Sequence, residues 1–268
     1  MTYRYTSDGK KVSLLGYGSM RLPTIDGGHA NQWTGDASVA AIDQKLFNRQ
    51  VKMMLDAGLN YFDTSPAYCS GRSESCLGEA LARSGYSRGD YILATKVSNF
   101  SPTQYSFECC RQMFEDSLKA LRTDYIDNFM IHNIGFGGYD EFRKRFVDNG
   151  VVDWCQELRR QKRIRNFGFS YHGDRKALDW CLERHDRIKW DFVQIQLNYS
   201  DWRHANVTNP DDLNSEYVYR LLTEMKIPVV VMEPLLGGRL ARYNYALAKE
   251  LKPLDPEASL ARWALRFC

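Results

Sequence analysis

The sequence lacks most of what would tie it to a membrane, a metal or a nucleic acid. No run approaches the apolar length of a membrane-crossing helix. The start, Met1-Thr2-Tyr3-Arg4-Tyr5, has no apolar signal region, so the expectation is a cytoplasmic protein that is not exported. A net charge of +3 over 268 residues is too small to imply nucleic acid or an anionic membrane as a partner, although it leaves room for attraction to a phosphate-bearing ligand. The seven cysteines are odd in number and form no Cys-x-x-Cys pair, and adjacent Cys109 and Cys110 are poorly spaced to bridge each other. Reduced thiols are therefore expected. The five histidines are scattered, and His185 and His204 have no ligand-spaced partners, so no metal site is expected. A dinucleotide fingerprint is also missing. Gly16-Tyr17-Gly18 runs into Ser19-Met20-Arg21, and the next predicted helix starts roughly twenty residues later.

What is present is alternation. Hydrophobic residues make up 44% and charged residues 26%, ordinary for a soluble globular chain. The segment 3–12, with the turn Ser7-Asp8-Gly9, reads as a hairpin. Strands are predicted over 13–18, 60–63, 91–96, 125–132, 164–170, 191–198 and 227–232. Helices are predicted over about 43–57, 73–83, 106–121, 152–162, 174–184 and 215–225, with closing helical segments at 245–251 and 256–267. Gly58 is placed to cap the first helix and Asp174 to start the fifth. Segments 133–150 and 199–214 read as loops. Strict strand–helix alternation implies parallel strands and right-handed crossovers, and the strands are apolar on consecutive residues, as when both faces are covered. A doubly wound open sheet and a (β/α)8 TIM barrel both fit. The barrel is favoured because polar residues end strand after strand, and barrel chemistry gathers at one face. The expectation is thus an α/β fold, a (β/α)8 TIM barrel with an N-terminal β-hairpin. It forms a single domain over 1–268 whose eighth βα unit is absent from the given sequence.

Asp63, Lys96 and His132 each end a predicted strand, and Tyr68 follows Asp63 by a short return through Thr64-Ser65-Pro66-Ala67. A free phenol, with a pKa near ~10, is a reluctant proton donor at neutral pH. A neighbouring ammonium stabilises its phenolate. Lys96 is the available ammonium, Asp63 the carboxylate to hold it, and His132 can give a hydrogen bond to a substrate oxygen or share the proton. Each residue alone has a plain structural explanation; their equivalent positions in one architecture are what point to a site.

Six segments carry a resemblance: Leu15-Gly16-Tyr17-Gly18-Ser19-Met20-Arg21, Gly58 through Tyr68, Gly71-Arg72-Ser73-Glu74, Leu118 through Asp127, Ile164 through Ser170, and Glu233-Pro234-Leu235-Leu236-Gly237-Gly238. In this order the chain resembles the aldo-keto reductases over almost its whole length. The stretch around Glu233-Pro234-Leu235 is similar to a bacterial branch whose members often add a C-terminal iron–sulfur segment, so such a cluster is expected only if an unseen C-terminal segment exists. The resemblance implies reduction of a small-molecule aldehyde or ketone by hydride transfer from a nicotinamide cofactor, usually NADPH, with NADH left open. It implies the tetrad Asp63, Tyr68, Lys96 and His132, with Tyr68 as general acid. For the cofactor it implies Ser19, Met20, Arg21 and Asp63, then Ser170 and Gln194 at the carboxamide, Met232 against the nicotinamide, and Pro234, Leu235, Gly237 and Gly238 along the pyrophosphate. Two departures stand out: Tyr171-His172 follows Ser170 where the family often has Asn, and the family's adenosine-binding residues after strand eight are not in the sequence. Aromatic candidates for substrate contact are Trp33, Phe136, Tyr139, Tyr199 and Trp202, with His29. A second class stays open: a non-catalytic, regulatory or channel-associated relative that keeps the barrel and binds cofactor.

Overall fold

Periodicity becomes structure in a computed structural model that describes residues 1–6, 8–30, 41–208, 212–242 and 245–268. The chain forms two units, one of residues 1–132 and 140–169, the other of residues 133–139 and 170–268.

The first unit opens on an antiparallel hairpin, β1 (Tyr3–Tyr5) with β2 (Lys11–Ser13), in the register Tyr3↔Ser13. Its turn closes through Gly9 at φ 83°. The hairpin is pinned by charge. Lys10 Nζ donates to Asp127 Oδ1 at 3.1 Å and to the Tyr91 carbonyl at 2.7 Å. Asp127 also accepts from Arg88 at 2.7 Å and from the Leu93 N–H at 2.9 Å. A buried carboxylate surrounded this fully is stable because its desolvation is offset by several donors.

Next come β3 (Tyr17–Gly18) and a small antiparallel pair, β4 (Leu22–Pro23) with β5 (His29–Ala30). The strand predicted over 13–18 is broken. Ser13 Oγ donates to the Leu15 carbonyl at 2.7 Å, turning the chain, and only Tyr17 and Gly18 pair with the next strand. Gly16 sits so close to Tyr61 that a Cβ there would lie 2.8 Å from its ring.

Helix α1 (Gln44–Asp56) starts at Asp43, whose carboxylate accepts from the Leu46 N–H at 2.8 Å, and is followed by Gly58 at φ 85°. Then follow β6 (Tyr61–Asp63), α2 (Ser73–Ala82), β7 (Ile92–Val97), α3 (Phe107–Leu121), β8 (Ile126–Ile131), α4 (Val151–Arg160) and β9 (Ile164–Tyr171). Strands β3, β6, β7, β8 and β9 pair in parallel in that order, with Gly18↔Asp63, Asp63↔Ala94, Lys96↔Met130 and Ile131↔Phe169 in register. Every residue of β7 and β8 is buried, the pattern of strands covered on both faces. Helix α3 buries Cys110, Phe114, Leu118 and Leu121 at helical spacing, while Phe107 stays exposed. The segment 133–150, expected as a loop, instead holds a short helix, Gly138–Phe142, and a wide π turn, Arg143–Val147, which buries Arg145 completely.

The second unit carries α5 (Arg175–Glu183), β10 (Phe192–Gln196), α6 (Ser215–Glu224), β11 (Val229–Met232) and α7 (Leu260–Phe267). Asp174 caps α5 by accepting from the Ala177 N–H at 2.8 Å, as its position predicts. Strands β10 and β11 run parallel with Gln194↔Val230 and Gln196↔Met232. The expected loop 199–214 contains a short helix, Asp201–Thr208. No helix among the described residues is long and apolar enough to cross a membrane.

Candidate active site

The four tetrad residues all belong to the first unit. Asp63 is the last residue of β6, Lys96 the fifth of β7, and His132 the residue after β8. Parallel pairing in register brings these strand ends side by side, so residues far apart in sequence share one face. Lys96 is completely buried and its ammonium is fully committed. It donates to Asp63 Oδ1 at 2.8 Å, Oδ2 at 3.0 Å and the Thr64 carbonyl at 2.7 Å. Its nitrogen stands 4.7 Å from the centre of the Tyr68 ring, whose phenol is also a hydrogen-bond partner. Burial by itself pulls an ammonium down, yet the Asp63 carboxylate and Tyr68 outweigh it and hold Lys96 above its ordinary 10.5. The lysine is therefore a permanent cation.

Tyr68 reaches that cation from an unusual turn. It opens the short helical segment Tyr68–Gly71, in which Cys69, Ser70 and Gly71 have φ of 50°, 49° and 85°. Two consecutive non-glycine residues in the left-handed region are a local strain of the kind that collects at functional sites. The turn is held by the Tyr68 N–H donating to the Ser65 carbonyl at 3.1 Å and by Cys69 Sγ against the carbonyls of Met20 and Ala30, each at 3.4 Å. The His132 ring meets Tyr68 edge-on, centroids 5.7 Å apart, and Phe100 edge-on at 5.0 Å.

Below Lys96 lies a second carboxylate. Glu74, on α2, is buried and accepts from the Thr95 hydroxyl at 2.5 Å and the Ser117 hydroxyl at 3.1 Å. Burial raises it to about 7 despite these donors and the Lys96 charge.

Residues that the sequence did not single out complete the surroundings. Arg145 donates to the His132 carbonyl at 2.8 Å and the Asn99 carbonyl at 3.0 Å, and its guanidinium lies 4.7 Å from the Phe100 ring centre. Ser98 Oγ is 2.7 Å from His132 Nδ1 and 2.8 Å from Ser65 Oγ. A serine after Val97 carries no sequence signal, and an arginine in a predicted loop reads as solvated.

The cofactor candidates divide between the units. In the first, Ser19 donates both its N–H, at 2.8 Å, and its hydroxyl, at 2.7 Å, to the Asp63 carbonyl. Its role there is to hold the strand end. Met20 and Arg21 follow, the guanidinium 3.8 Å from Met20 Sδ. In the second unit, Ser170 is buried and its Oγ accepts from the Asn133 N–H at 2.8 Å, which leaves the hydroxyl hydrogen to donate. Gln194 is buried on β10, and Met232 ends β11. The chain then turns tightly through Glu233, Pro234 and Leu235, with φ of 54°, 48°, 64° and 88° at Glu233, Leu236, Gly237 and Gly238. A Cβ at Gly238 would meet nothing within 4 Å, so this glycine answers a backbone demand rather than a crowded one. Exposed Arg239 and Arg242 follow the turn, charges of the sign a pyrophosphate takes. Within the second unit, the Ser170 hydroxyl, Gln194, Arg239 and Arg242 are donors of the kind a nicotinamide dinucleotide takes. Tyr171 replaces an amide only in sequence position, since its hydroxyl donates to the Gly173 carbonyl.

Of the substrate-contact candidates, Trp33 lies outside the described residues. His29 is exposed, and Phe136 is 43% exposed. Tyr199 and Trp202 are half-buried and meet the Phe267 ring of α7 edge-on, with centroids 6.2 and 5.7 Å away.

The fold class is α/β, that of the (β/α)8 barrel oxidoreductases. The holo form of an aldo-keto reductase from Bacillus halodurans superposes with a TM-score of 0.72 over 100% of this chain and 82% of that one, at 26% identity. The Aldo/keto reductase family model matches residues 15–265, and the chain belongs to that family. It is 28% identical over 265 residues to L-galactose dehydrogenase of Arabidopsis thaliana, covering 97% of this chain and 72% of that protein. It is 33% identical over 138 residues to aldo-keto reductase YhdN of Bacillus subtilis, covering 49% of this chain and 38% of the relative.

Proposed function

We propose that the chain is a carbonyl reductase, a single barrel domain over 1–268 that uses NADPH, or NADH, to convert an aldehyde or ketone to an alcohol. The observation that carries this reading is the Lys96 ammonium clamped between the Asp63 carboxylate and the Tyr68 ring. When bound, a reduced nicotinamide supplies the hydride for the carbonyl carbon. Tyr68 gives its phenolic proton to the carbonyl oxygen, and the buried Lys96 cation stabilises the phenolate left behind. Asp63 fixes Lys96 and keeps its charge. His132 orients the carbonyl oxygen. With the cofactor bound, Ser170 and Gln194 would hold the carboxamide, Met232 would lie against the nicotinamide, and the 234–238 turn with Arg239 would hold the pyrophosphate. A fixed cation in a water-poor site is worth more than one in water, which is how such a clamp turns a weak acid into a competent donor.

The test is isotopic. NADPH deuterated at the transferring position and 4-nitrobenzaldehyde should give an alcohol carrying one deuterium at the former carbonyl carbon, read by mass spectrometry. Unlabelled alcohol, or no alcohol and no quenching of NADPH fluorescence, would defeat the reading. Because one relative is named for oxidation of L-galactose, that sugar with NADP belongs in the same assay, run in the reverse direction.

A further inference from the structure

The serines beside His132 do more than fill space, because the hydrogens of their hydroxyls have few places to go. Ser65 is completely buried and Ser98 nearly so. Among the described residues, Ser98 Oγ has two hydrogen-bond partners, Ser65 Oγ at 2.8 Å and His132 Nδ1 at 2.7 Å. Ser65 Oγ has these same two groups as neighbours, His132 Nδ1 being 3.4 Å away, and it also accepts from the Ala67 N–H at 3.1 Å. A backbone N–H can only donate, so the Ala67 contact occupies one lone pair of Ser65 Oγ and takes none of its hydrogen. Each hydroxyl has one hydrogen to place. If Ser65 gives its hydrogen to Ser98, then Ser98 gives its own to Nδ1. If Ser65 gives its hydrogen directly to Nδ1, the outcome at the ring is the same. Every arrangement that leaves no buried hydroxyl hydrogen without an acceptor makes Nδ1 an acceptor, and a neutral imidazole whose Nδ1 accepts carries its proton on Nε2.

Resting on the carbonyl-reductase reading above, the geometry points to Ser65 and Ser98 as positioning residues that lock His132 in the Nε2–H form. In that form Nε2 gives a hydrogen bond to the substrate oxygen and has no lone pair with which to take a proton from Tyr68. The Tyr68 proton then has one destination, the carbonyl oxygen. The ring is held at the correct angle by the edges of Tyr68 and Phe100. The backbone on which it sits is held by Arg145, which ties the His132 and Asn99 carbonyls together. Ser65 serves both partners, since its carbonyl accepts the Tyr68 N–H while its hydroxyl feeds the histidine chain. One residue thus sets the position of the acid and the tautomer of its neighbour.

The tautomer is read directly, without cofactor or substrate, from the 15N chemical shifts of ring nitrogens in protein labelled at its five histidines. The His132 signals are assigned by their loss in His132→Asn. The lock predicts Nδ1 at the shift of an unprotonated acceptor and Nε2 at that of an N–H. In Ser98→Ala and in the Ser65→Ala/Ser98→Ala double variant, Nδ1 should move toward the protonated shift, and Ser98→Thr, which keeps the hydroxyl, should restore the wild-type shifts. In the deuterium-transfer assay kcat should fall about fivefold in Ser98→Ala, the worth of one net hydrogen bond, and recover in Ser98→Thr. A protonated Nδ1 in the wild-type protein, or ring shifts unmoved by both alanine variants, overturns the lock. These results stand even if the protein reduces no carbonyl, and a failure of deuterium transfer with the predicted shifts intact defeats the reductase reading alone.

Discussion

Replacing Glu74 with glutamine should make the protein more stable above neutral pH and leave it nearly unchanged in acid. The carboxyl is buried between α2, β7 and α3, and burial lifts it from 4.5 to about 7. A carboxyl that binds its proton more tightly when folded stabilises the native state while it is protonated. That contribution is complete below 4.5 and is lost as the pH rises through about 7. The interval from 4.5 to about 7 converts at 1.36 kcal/mol per pH unit to roughly 3 kcal/mol, present in full as a penalty at pH 8. Glutamine resembles the protonated acid: its carbonyl accepts from the Thr95 hydroxyl, and its amide group can donate to the Ser117 oxygen. Urea denaturation at pH 5 and pH 8 measures the difference. Glu74→Gln should lie within about 1 kcal/mol of wild type at pH 5 and about 3 kcal/mol above it at pH 8, a gain of roughly 6–12 °C in Tm. A difference that is the same at both pH values would refute the reasoning, because it would mean that Glu74 does not change its charge between them.

Three further substitutions probe charge and packing in the same unit. Asp127→Asn leaves Lys10 and Arg88 facing a neutral group in a buried cluster and should destabilise by roughly 3 kcal/mol in urea at pH 7; a loss below about 1 kcal/mol would show that the cluster contributes little. Gly78→Ala drives a Cβ to 2.2 Å from the Ala120 carbonyl oxygen and 3.0 Å from Leu121 Cα, where α2 meets the end of α3, so it should cost at least about 1–3 kcal/mol, while the open Gly89→Ala stays within about 0.5 kcal/mol. Equal melting temperatures for the two alanine variants would contradict the close approach.

The strands and helices were legible because their patterns are local. The short apolar runs Ile92–Ala94 and Phe129–Ile131 suit strands covered on both faces, and Phe107, Cys110, Phe114, Leu118 and Leu121 share one side of a helix by spacing alone, though Phe107, at the first turn, ends exposed. Asp63, Lys96 and His132 were legible for a related reason: parallel pairing converts equivalent strand positions into neighbours. The break at Leu14–Gly16 was hidden because it depends on Ser13 bonding two residues ahead and on the Tyr61 ring, a contact across 45 positions that no window of sequence contains. Arg145 was hidden because its charge suggests solvent, while its hydrogen-bond partners are carbonyls at Asn99 and His132. Ser65 and Ser98 are common residues whose meaning lies in the distance from each to His132. The edge-on contacts of Tyr199 and Trp202 with Phe267 were hidden because they join residues more than sixty positions apart.

The central claim is that Tyr68, beside the Lys96 cation, is the proton donor of a reductase. The most direct measurement is turnover of Tyr68→Phe, which removes one oxygen and keeps the ring over Lys96, alongside NADPH binding followed by fluorescence quenching in the same protein. The account predicts wild-type NADPH affinity with kcat reduced by at least ~100-fold, the scale of a lost general acid. A Tyr68→Phe protein that still reduces 4-nitrobenzaldehyde within a few-fold of the wild-type rate would contradict it.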